Sequence, residues 1–151
     1  MKNLVYCCLV MLMFSCNSAQ NSENMNPTLI AEGNLYGNGN DGLVENNMVL
    51  KNQTEWKEVA AQLNKLNANI KEDQIKTVDF KKQMVIVLID QQRTKGGYAI
   101  KISGVKNKEE SVVINLRKSQ TEGMATMVMT QPYYVGTIPK TDKEIEFEEV
   151  K

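Results

Sequence analysis

The side chains best equipped for chemistry in this chain are acidic. Asp79 and Asp90 bracket its most apolar stretch, Glu45 follows a glycine- and asparagine-rich segment, and Glu144, Glu146, Glu148 and Glu149 crowd the C-terminus. Two carboxylates a few ångströms apart can divide general-acid and general-base work, as in glycoside hydrolysis. The C-terminal acids, however, alternate with Ile145 and Phe147, the pattern of a solvated strand face. The 151 residues include no histidine. That removes the Ser–His–Asp triad, the Cys–His pair and the usual zinc site. Gly96-Gly97 stands alone, and Gly37-x-Gly39 is not followed by a helix start at the distance a phosphate loop needs. Asn38, Asn40, Asp41 and Glu45 offer oxygens for calcium, but without the alternating acids and terminal bidentate Glu of a calcium loop. That segment reads as a turn or ordered loop. The expectation is no metal, no cofactor and no enzyme activity, with a small carboxylate-based enzyme as the lesser alternative.

Cysteine chemistry points to the membrane. Lys2 opens the chain, Leu4 to Phe14 form an apolar run too short to span a bilayer, and Ser15-Cys16 follows at once. A small residue before a cysteine at the end of such a run resembles the bacterial lipobox, with Met13 where leucine is usual and Phe14 larger than usual. Its thiol takes a diacylglycerol, and the chain is cut just before it. Residues 1–15 are therefore expected to be a lipoprotein signal peptide and Cys16 the lipidation site; a plain secreted form is the alternative. Cys7 and Cys8 leave with the leader. Three acyl chains on Cys16 exceed the two signals that stable anchoring takes. Residues 16–28, without apolar periodicity, read as a flexible tether. Asn17 after the cysteine is not the aspartate that favours inner-membrane retention, so the expected destination is the bacterial envelope, outer membrane in preference. Lysine and arginine match aspartate and glutamate at 18 each. Loss of Lys2 leaves about one net negative charge, which gives no electrostatic case for nucleic acid.

The elements that must position these groups form one domain over residues 29–151. Met84 to Ile89 is six uninterrupted apolar residues, a strand buried on both faces. After a polar turn ending at Gly96-Gly97, Tyr98, Ile100 and Ile102 share one face and Lys101 points the other way. The two runs read as a long central hairpin. Trp56, Val59, Ala60, Leu63 and Leu66 fall on one stripe of a helix over about 52–67, capped by Asn52 with Glu55 reaching back. Trp56 reads as a core anchor rather than a ligand platform. Ile75 to Phe80 leads into the hairpin, and Met48 to Leu50, Ser111 to Arg117, Thr126 to Thr130, Tyr133 to Pro139 and Ile145 to Phe147 complete the extended segments, the last an acid-coated edge. Gln131-Pro132 is expected to interrupt the ladder, since proline lacks an N–H. The fold class is α+β, mostly antiparallel β: a small sandwich or partly open barrel with one amphipathic helix packed on it.

The order Trp56, Val78-Asp79-Phe80, Met84 to Val87, Gly96-Gly97-Tyr98-Ala99-Ile100-x-Ile102, then Gln131-Pro132-Tyr133-Tyr134-Val135 with Pro139-Lys140 resembles the C-terminal domain of the protease complex subunit PrcB family. The resemblance covers roughly residues 33–150, including the segment Asn34 to Gly39. Where the family often carries a bulky residue or histidine after Pro-Tyr, this chain has Tyr134. The resemblance implies a non-catalytic lipoprotein that associates with an envelope protein, a protease among the candidates. Gly96, Gly97, Tyr98, Pro132, Tyr133 and Tyr134 are then the candidate partner-binding residues. Two tyrosines beside a proline offer large amphipathic contact area; the alternative is that one packs in the core and the other caps it. A protease inhibitor-like role, adding an extended segment to a protease's edge, is the second functional reading.

Overall fold

A computed structural model describes residues 25–36, 43–121 and 128–151. These form β1 (Thr28–Leu35), β2 (Asn46–Leu50), α1 (Gln53–Lys65), α2 (Glu72–Lys76), β3 (Gln83–Ile89), β4 (Tyr98–Asn107), β5 (Ser111–Gln120), β6 (Gln131–Pro139) and β7 (Glu144–Glu149). One sheet has the order β1-β6-β3-β2 and the other β4-β5-β7. Among the described strands only β5 and β7 pair in parallel. Cys16 and the leader, most of the tether, and Asn38, Asn40 and Asp41 of the calcium reading lie outside the described residues. Met25 is already buried.

The apolar run of β3 needs a cover on each face, and it has two. Val85, Val87 and Ile89 join Trp56, Ala60, Leu63, Tyr133 and Val135 in a core between sheet and helix. Met84, Ile86 and Leu88 join Ile100, Ile102, Ile114, Leu116, Tyr134 and Ile138 in a second core between the two sheets. The layers run helix, sheet, sheet: an α+β sandwich, not a closed barrel.

The expected central hairpin does not form. β3 pairs with β2 and β6, whereas β4 pairs with β5 in the other sheet. The reason lies in the patterning. β4 is apolar on one face only, so it serves as the lid of the second core, and residues 90–97 carry the chain across. Period-two alternation tells which face a residue takes, not which strand lies beside it.

Asn52 caps α1, its Oδ1 accepting from the Glu55 N–H at 3.0 Å. The Glu55 carboxylate reaches back one residue further than expected, to the Lys51 N–H at 3.1 Å. Trp56, Ala60 and Leu63 are fully buried, which makes Trp56 a core anchor. The helix ends where Asn67 and Asn69 take positive φ of 67° and 55°, a conformation asparagine tolerates better than most side chains. Ile75 to Phe80, which leads into β3, closes α2 and forms a turn. Five residues of helix are too short to show a period. Tertiary bonds fix α2: Gln74 Nε2 donates to the Ile30 carbonyl at 2.8 Å, and Gln53 Nε2 to that of Ile75 at 2.9 Å.

Glycine is demanded at one place above all. The Tyr134 ring lies over Gly136, where an added Cβ would sit 2.8 Å from its Oη, 2.9 Å from Cε1 and 3.0 Å from the Thr28 carbonyl oxygen. A methyl there overpacks both a core aromatic and a neighbouring strand. Gly136→Ala is expected to lose about 1–3 kcal/mol, read as a lower midpoint of urea unfolding at unchanged slope; a loss below about 0.5 kcal/mol would show that the ring moves aside freely.

Candidate functional site

Chemistry-bearing side chains gather where the chain crosses between the sheets. β6 runs straight through Pro132 instead of breaking there. The Asp90 N–H donates to the Pro132 carbonyl at 2.9 Å, and an antiparallel pair would return a bond from the N–H of residue 132. Proline has none. The Gln131 side chain supplies the donor, its Nε2 reaching the Asp90 carbonyl at 2.9 Å, while its Oε1 accepts from the Leu43 N–H at 3.1 Å. Beyond this repair Arg93 and Thr130 exchange backbone bonds of 2.7 and 2.9 Å.

Asp90 continues the alternation of Met84, Ile86 and Leu88, so its carboxylate enters the mouth of the inter-sheet core, 1% exposed. Its Oδ2 meets Arg93 Nη2 at 3.0 Å and its Oδ1 meets Lys118 Nζ at 2.9 Å. Lys118 comes from the inward face of β5 and also approaches Glu45 at 2.8 Å and Glu149 at 3.5 Å. Burial by itself would push the Asp90 carboxyl up; bonds from Lys118 and Arg93 outweigh it and hold the group below the usual carboxylate range. Burial would likewise lower Lys118, yet Asp90 and Glu45 hold it above the usual ammonium value. Neither group exchanges a proton near neutral pH. The arrangement is a clamp joining β3, β5, β7 and the approach to β2, with the Arg93 guanidinium stacked 4.7 Å above the Tyr98 ring.

The predicted residues disperse. Asp79 sits in the turn before β3, accepting from the Lys81 N–H, and Asp90 lies beyond its far end. Seven strand residues separate them, roughly 23 Å at 3.3 Å per residue, too far for the carboxylate pair considered from sequence. Glu45 is bound up with Lys118. Gly97 takes a positive φ of 88° and accepts at its carbonyl from the Thr121 N–H at 2.7 Å. Gly96 and Tyr98 are half-buried beside it. Tyr133 and Tyr134, proposed as a paired contact corner, point to opposite faces of β6 and are 3% and 5% exposed. Tyr133 lies in the helix-side core and donates to the Ala68 carbonyl at 2.9 Å; Tyr134 lies in the inter-sheet core. Burial raises both phenols. They hold the layers together and present no contact patch.

Among the described residues the exposed large apolar side chains are Leu29, at the start of β1, and a set at the other end of that strand that the sequence does not single out for binding. Tyr36 and Val44 are 51% and 84% exposed, and Val128 and Met129 are also open. Tyr36 and Met129 rim one shallow hollow with Leu35, Leu66 and Thr130. The Leu43 N–H bond to Gln131, itself a lining residue, ties the residue before Val44 to this end of the domain. Val128 and Met129, expected within a strand, lie outside the strands. No periodicity could flag this set, because it is assembled from three separate loops.

Two outcomes test this corner. Gln131→Leu is expected to destabilise by about 1–3 kcal/mol, and less in a Pro132→Ala background, where the backbone N–H is restored; equal losses in both backgrounds would contradict the repair. Asp90→Asn is expected to lose about 1.5–3 kcal/mol at neutral pH. Because the folded carboxyl is held low, its contribution is full above the unfolded value near 3.9 and is lost as pH falls through the lower folded value. The gap between wild type and variant should therefore close below about pH 4 in melting experiments; a gap that persists there would rule out the ionic origin.

Among known proteins, residues 84–139 match the family model described as PrcB C-terminal, a narrower span than the resemblance over 33–150. No curated protein and no solved structure matches the chain significantly. The matched span runs from β3 through β6 and contributes both central strands of the larger sheet, together with the lid strands β4 and β5. The likeness to the PrcB C-terminal family rests on this segment.

Proposed function

We propose that this is a non-catalytic lipoprotein of the bacterial envelope whose domain holds a protein partner, a protease complex foremost, against its exposed apolar end. The observation that carries the reading is the placement of Tyr36, Val44, Val128 and Met129 relative to the tether. The tether arrives at Thr28, and Tyr36 follows directly after the other end of β1. Eight strand residues at 3.3 Å each put roughly 26 Å between the two points. A lipid on Cys16 would thus hold one end of the domain near the bilayer while the apolar end faces away. Apolar and aromatic side chains clustered on an otherwise polar surface mark protein contact sites. The match of residues 84–139 to the PrcB C-terminal family supports the choice of a protease complex as partner.

A photo-crosslinking residue placed at position 36 in the native envelope is expected to give a discrete protein adduct, and one placed at Lys81, at the tether end, is not. Identical adducts from both positions, or none from position 36, would contradict the docking surface. The mass of the mature protein is expected to start at Cys16 and carry three acyl chains; an unmodified chain would remove the anchor.

A further inference from the structure

We infer that a cleft at the tether end of the domain binds an uncharged sugar unit. This inference goes beyond the partner-binding reading and uses neither the apolar end nor its partner. Alternation along three adjacent strands defines the floor of the cleft. On β6, Tyr133 and Val135 enter the helix-side core, and the next residue on that face is Thr137. On β3, Val85, Val87 and Ile89 enter the same core, and the position before them on that face is Gln83. On β1, Thr28 is the cross-strand partner of Thr137. All three strands thus place a neutral polar side chain at one end of the face that is otherwise core. Gln74, Thr77 and Val78, from α2 and the turn after it, form the wall, with exposed Leu29 at the rim. The space measures about 210 Å³, and no charged side chain among the described residues lines it.

The ligand class follows from what these groups leave unused. Thr137 is 4% exposed and lines the cleft, and its hydroxyl makes no hydrogen bond among the described residues. The side chains of Thr28 and Gln83 are likewise unpartnered there. Each of the three can both donate and accept. A ligand that seals the cleft must satisfy them or leave them buried and unpaired. An apolar ligand fails that condition. A charged one loses its hydration and meets no countercharge. A neutral ring rich in hydroxyls satisfies the polar floor, and its C–H faces suit Leu29 and Val78. Strand addition by a peptide is the competing use of the free edge of β1, and Gln74 closes that edge. Its Nε2 already occupies the Ile30 carbonyl at 2.8 Å. At about 210 Å³ the cleft is smaller than the roughly 300–1,000 Å³ of sites for drug-sized ligands. It takes a single ring, and its open side lets a longer glycan continue into solvent.

The test titrates the isotope-labelled full chain, in a polyoxyethylene detergent that carries neither charge nor sugar, and reads NMR chemical shifts. The probes share one ring: glucose and N-acetylglucosamine are neutral, glucosamine and glucuronic acid charged. A neutral ring is expected to shift Thr28, Thr137 and the Gln83 carboxamide saturably. A ring of about fifteen heavy atoms at ordinary ligand efficiency gives a dissociation constant on the order of millimolar. The charged rings should bind roughly tenfold more weakly or worse. Thr137→Val keeps the shape and drops the hydroxyl, and should weaken binding about tenfold. Thr137→Ser should retain it, with the spectrum outside the cleft unchanged in both variants. Absence of saturable shifts at these residues with either neutral sugar would overturn the inference. So would equal binding of neutral and charged rings, or a Thr137→Val chain that binds as well as wild type. Acetyl-triserine amide shifting the same residues at lower concentration than the sugars would assign the cleft to peptide instead.

Discussion

The whole arrangement depends on burying β3 on both faces. Six consecutive apolar side chains cannot be half-solvated, so each face must be closed by a separate layer. The helix stripe of Trp56, Ala60 and Leu63 closes one and the lid strands β4 and β5 close the other. Every other feature follows from supplying those two covers. The chain has to leave the first sheet after Asp90 and cross to the second, and β6 has to return between β1 and β3. The aromatic residues of β6 are divided accordingly, Tyr133 to one core and Tyr134 to the other.

Crossing between sheets exposes backbone and opens the end of the inter-sheet core, and the chain answers both problems locally. Gln131 donates where Pro132 cannot, keeping the ladder between Asp90 and β6 intact. Asp90, the next residue in the inward alternation after Leu88, is charged. It would be costly in that position without Lys118 and Arg93. The cations come from β5 and from the crossing segment itself, so the closure bonds the two sheets to each other. A group so firmly paired is poorly suited to proton transfer, which agrees with a role in architecture and leaves recognition to the surface.

Much of this was legible in the sequence. The double burial of β3, the stripe and cap of α1, the short β2 and the acid-coated edge at β7 all follow from local periodicity and turn chemistry. What was not legible depends on partners distant in sequence. Alternation could not say that β3 and β4 belong to different sheets. Pro132 looked like a break because the compensating donor is a side chain, and that misreading made Tyr133 and Tyr134 look like an exposed corner. The apolar end, built from Tyr36, Val44, Val128 and Met129, exists only once three loops have been brought together.

The central claim is that β3 is a middle strand paired on both sides and covered on both faces. Native-state hydrogen exchange tests it most directly. The amides of Val85 to Leu88 are expected to exchange only through global unfolding, with the full free energy and denaturant dependence of that transition. Exchange of those amides through a local opening, at lower free energy than the strands of the smaller sheet, would contradict the account.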